Sequence, residues 1–234
     1  MTGNVDTRGV VVKSAILAAL GVIATVPYFH YLVFAAFPAP IPGADGWTLV
    51  VGELLLVLIL LFLSALIGFS FAGRLDLPGL GETRAWLRGL PVLIPCGLIL
   101  VAFSYFTFDR YFLLISPASF PTDPVYLLAV PFKGAFVDET VLRLGLVTIG
   151  VGLARDKAAG VIVTAAVASL FTVKYFEFIG IPFALDPLFI VHLLLSFFGN
   201  LLLGWLYVTR GLLWSMTLTF VIGLKYFFIL WMGA

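Results

Sequence analysis

Residues 48–72 read TLVVGELLLVLILLFLSALIGFSFA, a run that carries one ionisable residue, Glu53. A helix rises about 1.5 Å per residue and the hydrocarbon core of a bilayer is about 30 Å thick, so this run is long enough to cross it. A helix apolar on every face belongs in lipid or in the centre of a large core, and no large soluble core is available here. Six further stretches of the same character surround it, at approximately 12–36, 89–116, 124–154, 158–181, 185–209 and 211–232. The expectation is an all-α, polytopic transmembrane bundle of about seven helices. It forms one domain over 1–234, because no aqueous segment between the runs could hold a separate soluble unit.

Composition points the same way. Of 234 residues, 62% are hydrophobic and 11% charged, against roughly 45–50% and about 25% in an ordinary soluble domain. Mean hydropathy is +1.18. The net charge of +1 offers no basic groove for nucleic acid. Cys96, the lone cysteine, can form neither an intramolecular disulfide nor a thiolate metal site. The first run, preceded by Arg8 and Lys13, is too long for a cleaved signal and reads as an uncleaved anchor. With the N-terminus inside, Arg8, Lys13, Arg74, Arg84, Arg88, Arg155, Lys157 and Arg210 fall in inner segments and only Arg110 in an outer one. The positive-inside rule then places the N-terminus in and the C-terminus out. The implied setting is an integral membrane protein, most simply of a prokaryotic cytoplasmic membrane, with lipid as its first partner.

Pro38, Pro40, Pro42 and Gly43 end the first run, Pro78-Gly79 marks an inner loop, and Asp186-Pro187 opens the sixth. Gly145, Gly150 and Gly152, with the small-residue run 165–169, allow the fourth and fifth helices to approach closely.

Eight ionisable residues remain at membrane depth: Glu53, Lys133, Asp138, Glu139, Arg143, Lys174, Glu177 and Lys225. Each costs about 2.5–3.5 kcal/mol near the bilayer centre if left alone, so burial in the bundle and pairing are expected. Glu139, Lys174, Lys225 and His192 each lie 15 to 17 residues from an inner boundary residue. That places them in one layer roughly 22–26 Å deep. Glu139 with Arg143 (i,i+4) and Lys174 with Glu177 (i,i+3) can neutralise each other locally, as scaffold or as parts of a site. Asp138, Lys133 and Lys225 have no partner at good helical spacing and need a tertiary explanation. His192 and His30, the two histidines, cannot alone build a three-histidine zinc site.

The stretch Asp138-Glu139-Thr-Val-Leu-Arg143-Leu-Gly145 precedes a short basic loop and an Ala-rich helix ending Ser169-Leu170-Phe171-Thr-Val-Lys-Tyr175. It resembles the CPBP family of intramembrane proteases, which includes the CAAX prenyl endopeptidases, the bacteriocin-processing proteases and ABI-like proteins. The family's first motif is Glu-Glu-x-x-x-Arg and its second Phe-x-x-x-His. The later stretch Phe198-Gly199-Asn200-Leu-Leu-Leu-Gly204-Trp-Leu-Tyr207-Val-Thr-Arg210-Gly-Leu-Leu-Trp214 is similar to the segment before the family's third motif, His-x-x-x-Asn. Arg74-Leu-Asp-Leu-Pro78-Gly79-Leu is similar to an inner-loop element. The resemblance covers about 70–225. It implies that the first acid, here Asp138, activates water with the second-motif histidine while the third motif holds the oxyanion, with a divalent metal argued both ways.

This chain departs from that pattern at the reaction centre. The first acid is Asp, the second-motif histidine position is Tyr175, and the third-motif positions fall on Phe220 and Leu224. Tyrosine is a poor base or metal ligand at neutral pH, and Phe and Leu offer no polar atom. Lys174 and Lys225 adjoin the altered positions, so ion pairing is expected to have replaced water or metal activation. The leading expectation is a diverged, non-proteolytic CPBP-like membrane protein, without a cofactor, that binds another membrane protein or a lipid as scaffold or subunit. The alternative is an active endopeptidase with a rearranged site of Asp138 or Glu139 with Tyr175 or His192, for which a divalent metal would be in play. A small transporter using the charge layer as a relay is a third reading.

Overall fold

The computed structural model describes the backbone of residues 7–36, 45–111, 123–178 and 187–233, and side chains over the same ranges except 35–36, 172–178, 188 and 232–233. Among the described residues the chain is all-helical. In chain order it comprises α1 (Thr7–Tyr31), α2 (Gly46–Ala72), α3 (Thr83–Ser104), the composite rod α4, α5 (Lys157–Phe178), α6 (Pro187–Arg210), α7 (Leu212–Gly223) and the short α8 (Lys225–Gly233). α4 is built from Pro124–Lys133, two π-helical segments, Gly134–Asp138 and Thr140–Val147, and Thr148–Ala154. α7 and α8 form one rod interrupted at Leu224. The sequence-expected runs therefore correspond to seven rods.

Five of these rods are long and apolar enough to cross a membrane: Thr7–Phe34, Gly46–Leu75, Thr83–Asp109, Phe189–Arg210 and Leu212–Trp231. The chain is accordingly an integral membrane protein. α4 falls outside that set because Lys133, Asp138, Glu139 and Arg143 interrupt its apolar character, and its place in the bundle explains how it tolerates them. It packs against α1, α2, α5, α6 and α7, with Glu139 and Arg143 buried among them.

The lipid-facing character of α2 can be read residue by residue. Leu55, Ile59 and Leu63 stay exposed, while Val57, Leu61, Ala65, Gly68 and Ala72 are buried. That separation follows the helical repeat of 3.6 residues although every side chain involved is apolar or small. Glu53 lies on the exposed side of α2, contrary to the expectation that all the membrane-depth charges turn into the bundle. It sits in the second turn from Gly46, close enough to the helix end for its carboxylate to reach the interface.

Small residues set the closest approaches, as expected where lipid is as apolar as leucine and association relies on packing. A methyl group at Gly160 of α5 would come within 2.5 Å of the Val151 backbone of α4, and Gly150 faces the Gly160 carbonyl in turn. Gly150 thus acts at the α4–α5 contact as expected, whereas Gly145 faces Ser64 of α2 and Gly152 faces Leu75. The turn before α7 is pinned to the inner loop: Leu212 and Leu213 amides donate to the carbonyls of Gly79 and Leu80 at 2.9 and 3.1 Å. Gly81 and Gly211 meet there with φ of 88° and 101°, a conformation open chiefly to glycine. The proline-rich segment 38–43 and Asp186 lie outside the described residues.

Candidate functional site

α4 changes its winding where its charges stand. A π-turn closes hydrogen bonds five residues apart, so side chains at i and i+5 come into register, and such segments are common at functional sites. Lys133 and Asp138 are five residues apart across Gly134–Asp138. The Lys133 Nζ donates to Oδ1 of Asp138 at 2.7 Å and to Oδ2 at 2.9 Å. The expectation that neither residue has a partner on its own helix is therefore corrected, because it assumed α-helical spacing. The ammonium also lies 5.8 Å from the centre of the Tyr28 ring.

One turn further, Glu139 and Arg143 form the expected i,i+4 pair, with Nε donating to Oε2 at 3.3 Å. Both residues are 1% exposed, so neither charge is solvated and each depends on the other. Arg143 also reaches α6, where its Nη2 donates to Oδ1 of Asn200 at 2.7 Å. Asn200 in turn donates to the Ser196 carbonyl at 2.8 Å, which fixes the amide. Among the described residues the third nitrogen, Nη1, has no partner, and neither do the hydroxyls of Thr140 and Thr219.

A cavity of about 560 Å³ adjoins these groups. Asp138, Glu139, Arg143, His192, Asn200 and Thr219 line it together with apolar side chains of α2, α5 and α6. His192 thus belongs with the acids, as its depth suggested, and its ring packs 4.4 Å from that of Phe108.

Lys225 does not join Asp138. It crosses to the π-helical segment Tyr105–Asp109 that continues α3 and pairs with Asp109 at 2.9 Å, and the other oxygen of Asp109 accepts from Ser104 at 2.7 Å. Lys225 thus finds its tertiary partner in Asp109 rather than in Asp138. Asp109 is 1% exposed, although its position beside Arg110, an outer-segment charge, does not mark it in the sequence as buried. The signal was present in the sequence: a lone lysine in the last rod requires an acid from elsewhere. Tyr226 stands within electrostatic reach of Asp109, Lys133 and Asp138, so the two ion pairs belong to one polar region of the bundle. The side chains of Lys174, Tyr175 and Glu177, on α5, lie outside the described residues. His30 is exposed and packs against Phe34 and Trp47, away from the cavity-lining groups.

The two positions that the resemblance assigns to the third motif, Phe220 and Leu224, lie apart from the polar cavity. Phe220 lines a separate apolar cleft and packs 5.0 Å from the Phe132 ring, while Leu224 is the break between α7 and α8. Thr219 is the α7 residue that reaches the polar cavity. Among the described residues the donor set does not suit a divalent metal. Ammonium hydrogens occupy both Asp138 oxygens, a guanidinium holds Glu139, and no cluster of three or more His, Cys, Asp or Glu side chains exists among the described residues. The same ammonium contacts engage the oxygens with which Asp138 would take a proton from water.

Comparison with known proteins returned no matching family model, no matching curated protein and no matching solved structure.

Proposed function

We infer that the protein is a diverged, non-proteolytic CPBP-like component of a prokaryotic cytoplasmic membrane, whose bundle serves as a scaffold or subunit binding another membrane protein or lipid. The observation that carries this reading is the engagement of both acids of the Asp138-Glu139 pair by cations of their own helix, Lys133 and Arg143. Of the residues that resemble a hydrolytic motif, Glu139 and Arg143 are tied into the packing of α4 against α6. The replacement of the third-motif residues by Phe220 and Leu224 supports the same conclusion.

A second reading, an endopeptidase with a rearranged acid site, draws on the cavity that places Asp138 beside His192. The two readings separate in liposomes. Purified protein is incubated with a library of transmembrane peptides, and products are followed by mass spectrometry. The scaffold reading expects the wild type to match the Asp138→Asn variant, with no specific product from either. Cleavage by the wild type that is lost in Asp138→Asn would overturn it.

A further inference from the structure

Opposite the polar cavity, α4 borders a second, apolar space. α1 packs on α2 and on the first part of α4, and α7 packs on α3 and α6, which leaves a cleft of about 570 Å³ between α1 and α7. Its walls include Ile16 and Leu20 of α1, Phe132 and Phe136 of α4, and Met216 and Phe220 of α7. Along α1 it runs from Lys13 to Leu20, a rise of about 10 Å, comparable to half of a lipid acyl chain.

A second cavity, of about 400 Å³, adjoins it at the inner loop and shares Lys13, Phe69 and Leu80 with it. Among the described residues Lys13 is the one ionisable residue lining either space. It is exposed, and no carboxylate pairs with it among the described residues. An apolar channel that ends at an unpaired ammonium, beside a glycine-containing loop at the membrane boundary, matches the two halves of a lipid: hydrocarbon in the cleft, anionic phosphate at the lysine.

We propose that the α1–α7 cleft is a binding site for one phospholipid with a net anionic headgroup, its acyl chain lying between α1 and α7 and its phosphodiester held by Lys13. Charge complementarity selects this occupant over an apolar helix, which would leave the ammonium unanswered, and over a zwitterionic lipid, whose own cation would meet Lys13. The proposal names the ligand for the lipid-binding half of the function inferred above and rests on it. It stands apart from the state of Asp138: peptidase activity would overturn the non-proteolytic reading alone, and absence of headgroup preference would overturn the lipid site alone.

Trp86 lines the cleft, its indole N–H donating to Thr217 at 2.8 Å, and so supplies a built-in reporter. The full-length protein is reconstituted in phosphatidylcholine vesicles doped with acyl-brominated phosphatidylglycerol or acyl-brominated phosphatidylcholine. Trp86 quenching is taken as the difference between wild type and Trp86→Phe. Phosphatidylglycerol is expected to quench at about fivefold lower mole fraction, the effect of one lysine at an anionic lipid surface. Lys13→Gln should erase that preference. Equal quenching by the two lipids, or a preference that survives Lys13→Gln, overturns the proposal. Native mass spectrometry gives a second readout. One phosphatidylglycerol should be retained by the wild type and lost from Lys13→Gln, and equal retention by both contradicts the site.

Discussion

Lys133 grips both carboxylate oxygens of Asp138 from the preceding turn of the same helix, at 2.7 and 2.9 Å. The grip depends on the π-helical winding of Gly134–Asp138; in an α-helix, residues five apart do not share a face. Local backbone geometry, charge neutralisation and loss of a free acid are thus one feature of α4.

Arg143 is the most demanding residue in the bundle, since its buried guanidinium bridges Glu139 on α4 and Asn200 on α6. Arg143→Met should destabilise the protein by about 3–5 kcal/mol, because it strands the Glu139 charge. Arg143→Lys should recover little, since an ammonium cannot reproduce the forked geometry. Reversible unfolding in mixed micelles measures both, and a Lys variant as stable as wild type would count against the bridge.

The Asp109–Lys225 pair fastens the last rod to the end of α3. Lys225→Met should cost more than Asp109→Asn, because it strands a fully buried carboxylate, whereas the lysine left by the Asn variant is partly exposed. Their coupling in a double-mutant cycle should reach about 1–3 kcal/mol. A coupling near zero would mean that the contact contributes nothing to holding α8.

Gly211 turns the chain into α7 with φ of 101°, and a methyl group there would approach the Gly81 backbone within 2.5 Å. Gly211→Ala should therefore destabilise by more than about 1 kcal/mol, and it should loosen the loop at 78–81. Faster proteolysis within that loop is the expected signature.

Glu53 faces outward, so Glu53→Gln should change stability by no more than about 0.5 kcal/mol. A larger loss would place its carboxylate in contact with a neighbour.

Much of this architecture is legible in the sequence because lipid is an uncompromising solvent. The runs at 48–72 and 211–232 cannot be anything but buried or lipid-facing helix, and the Glu139–Arg143 pair follows from helical spacing alone. The Lys133–Asp138 pair does not, because it depends on the π-helical winding of Gly134–Asp138, which no periodicity announces. Asp109 was obscured for a different reason: its position beside Arg110 at a helix end gives no hint that only one of the two turns inward. Asn200 carries an ordinary polar side chain in an apolar run, and its role emerges only when Arg143 is seen to reach it.

The claim on which the account rests is that Asp138 serves as the structural counter-charge of Lys133. The stability cycle of Lys133→Met, Asp138→Leu and the double variant tests it most directly, measured by unfolding of the protein in mixed micelles. The account predicts that each single variant loses about 1–3 kcal/mol while the double variant returns close to wild type, since both charges leave together. Single variants of unchanged stability, or a double variant whose loss is the sum of the two, would contradict it.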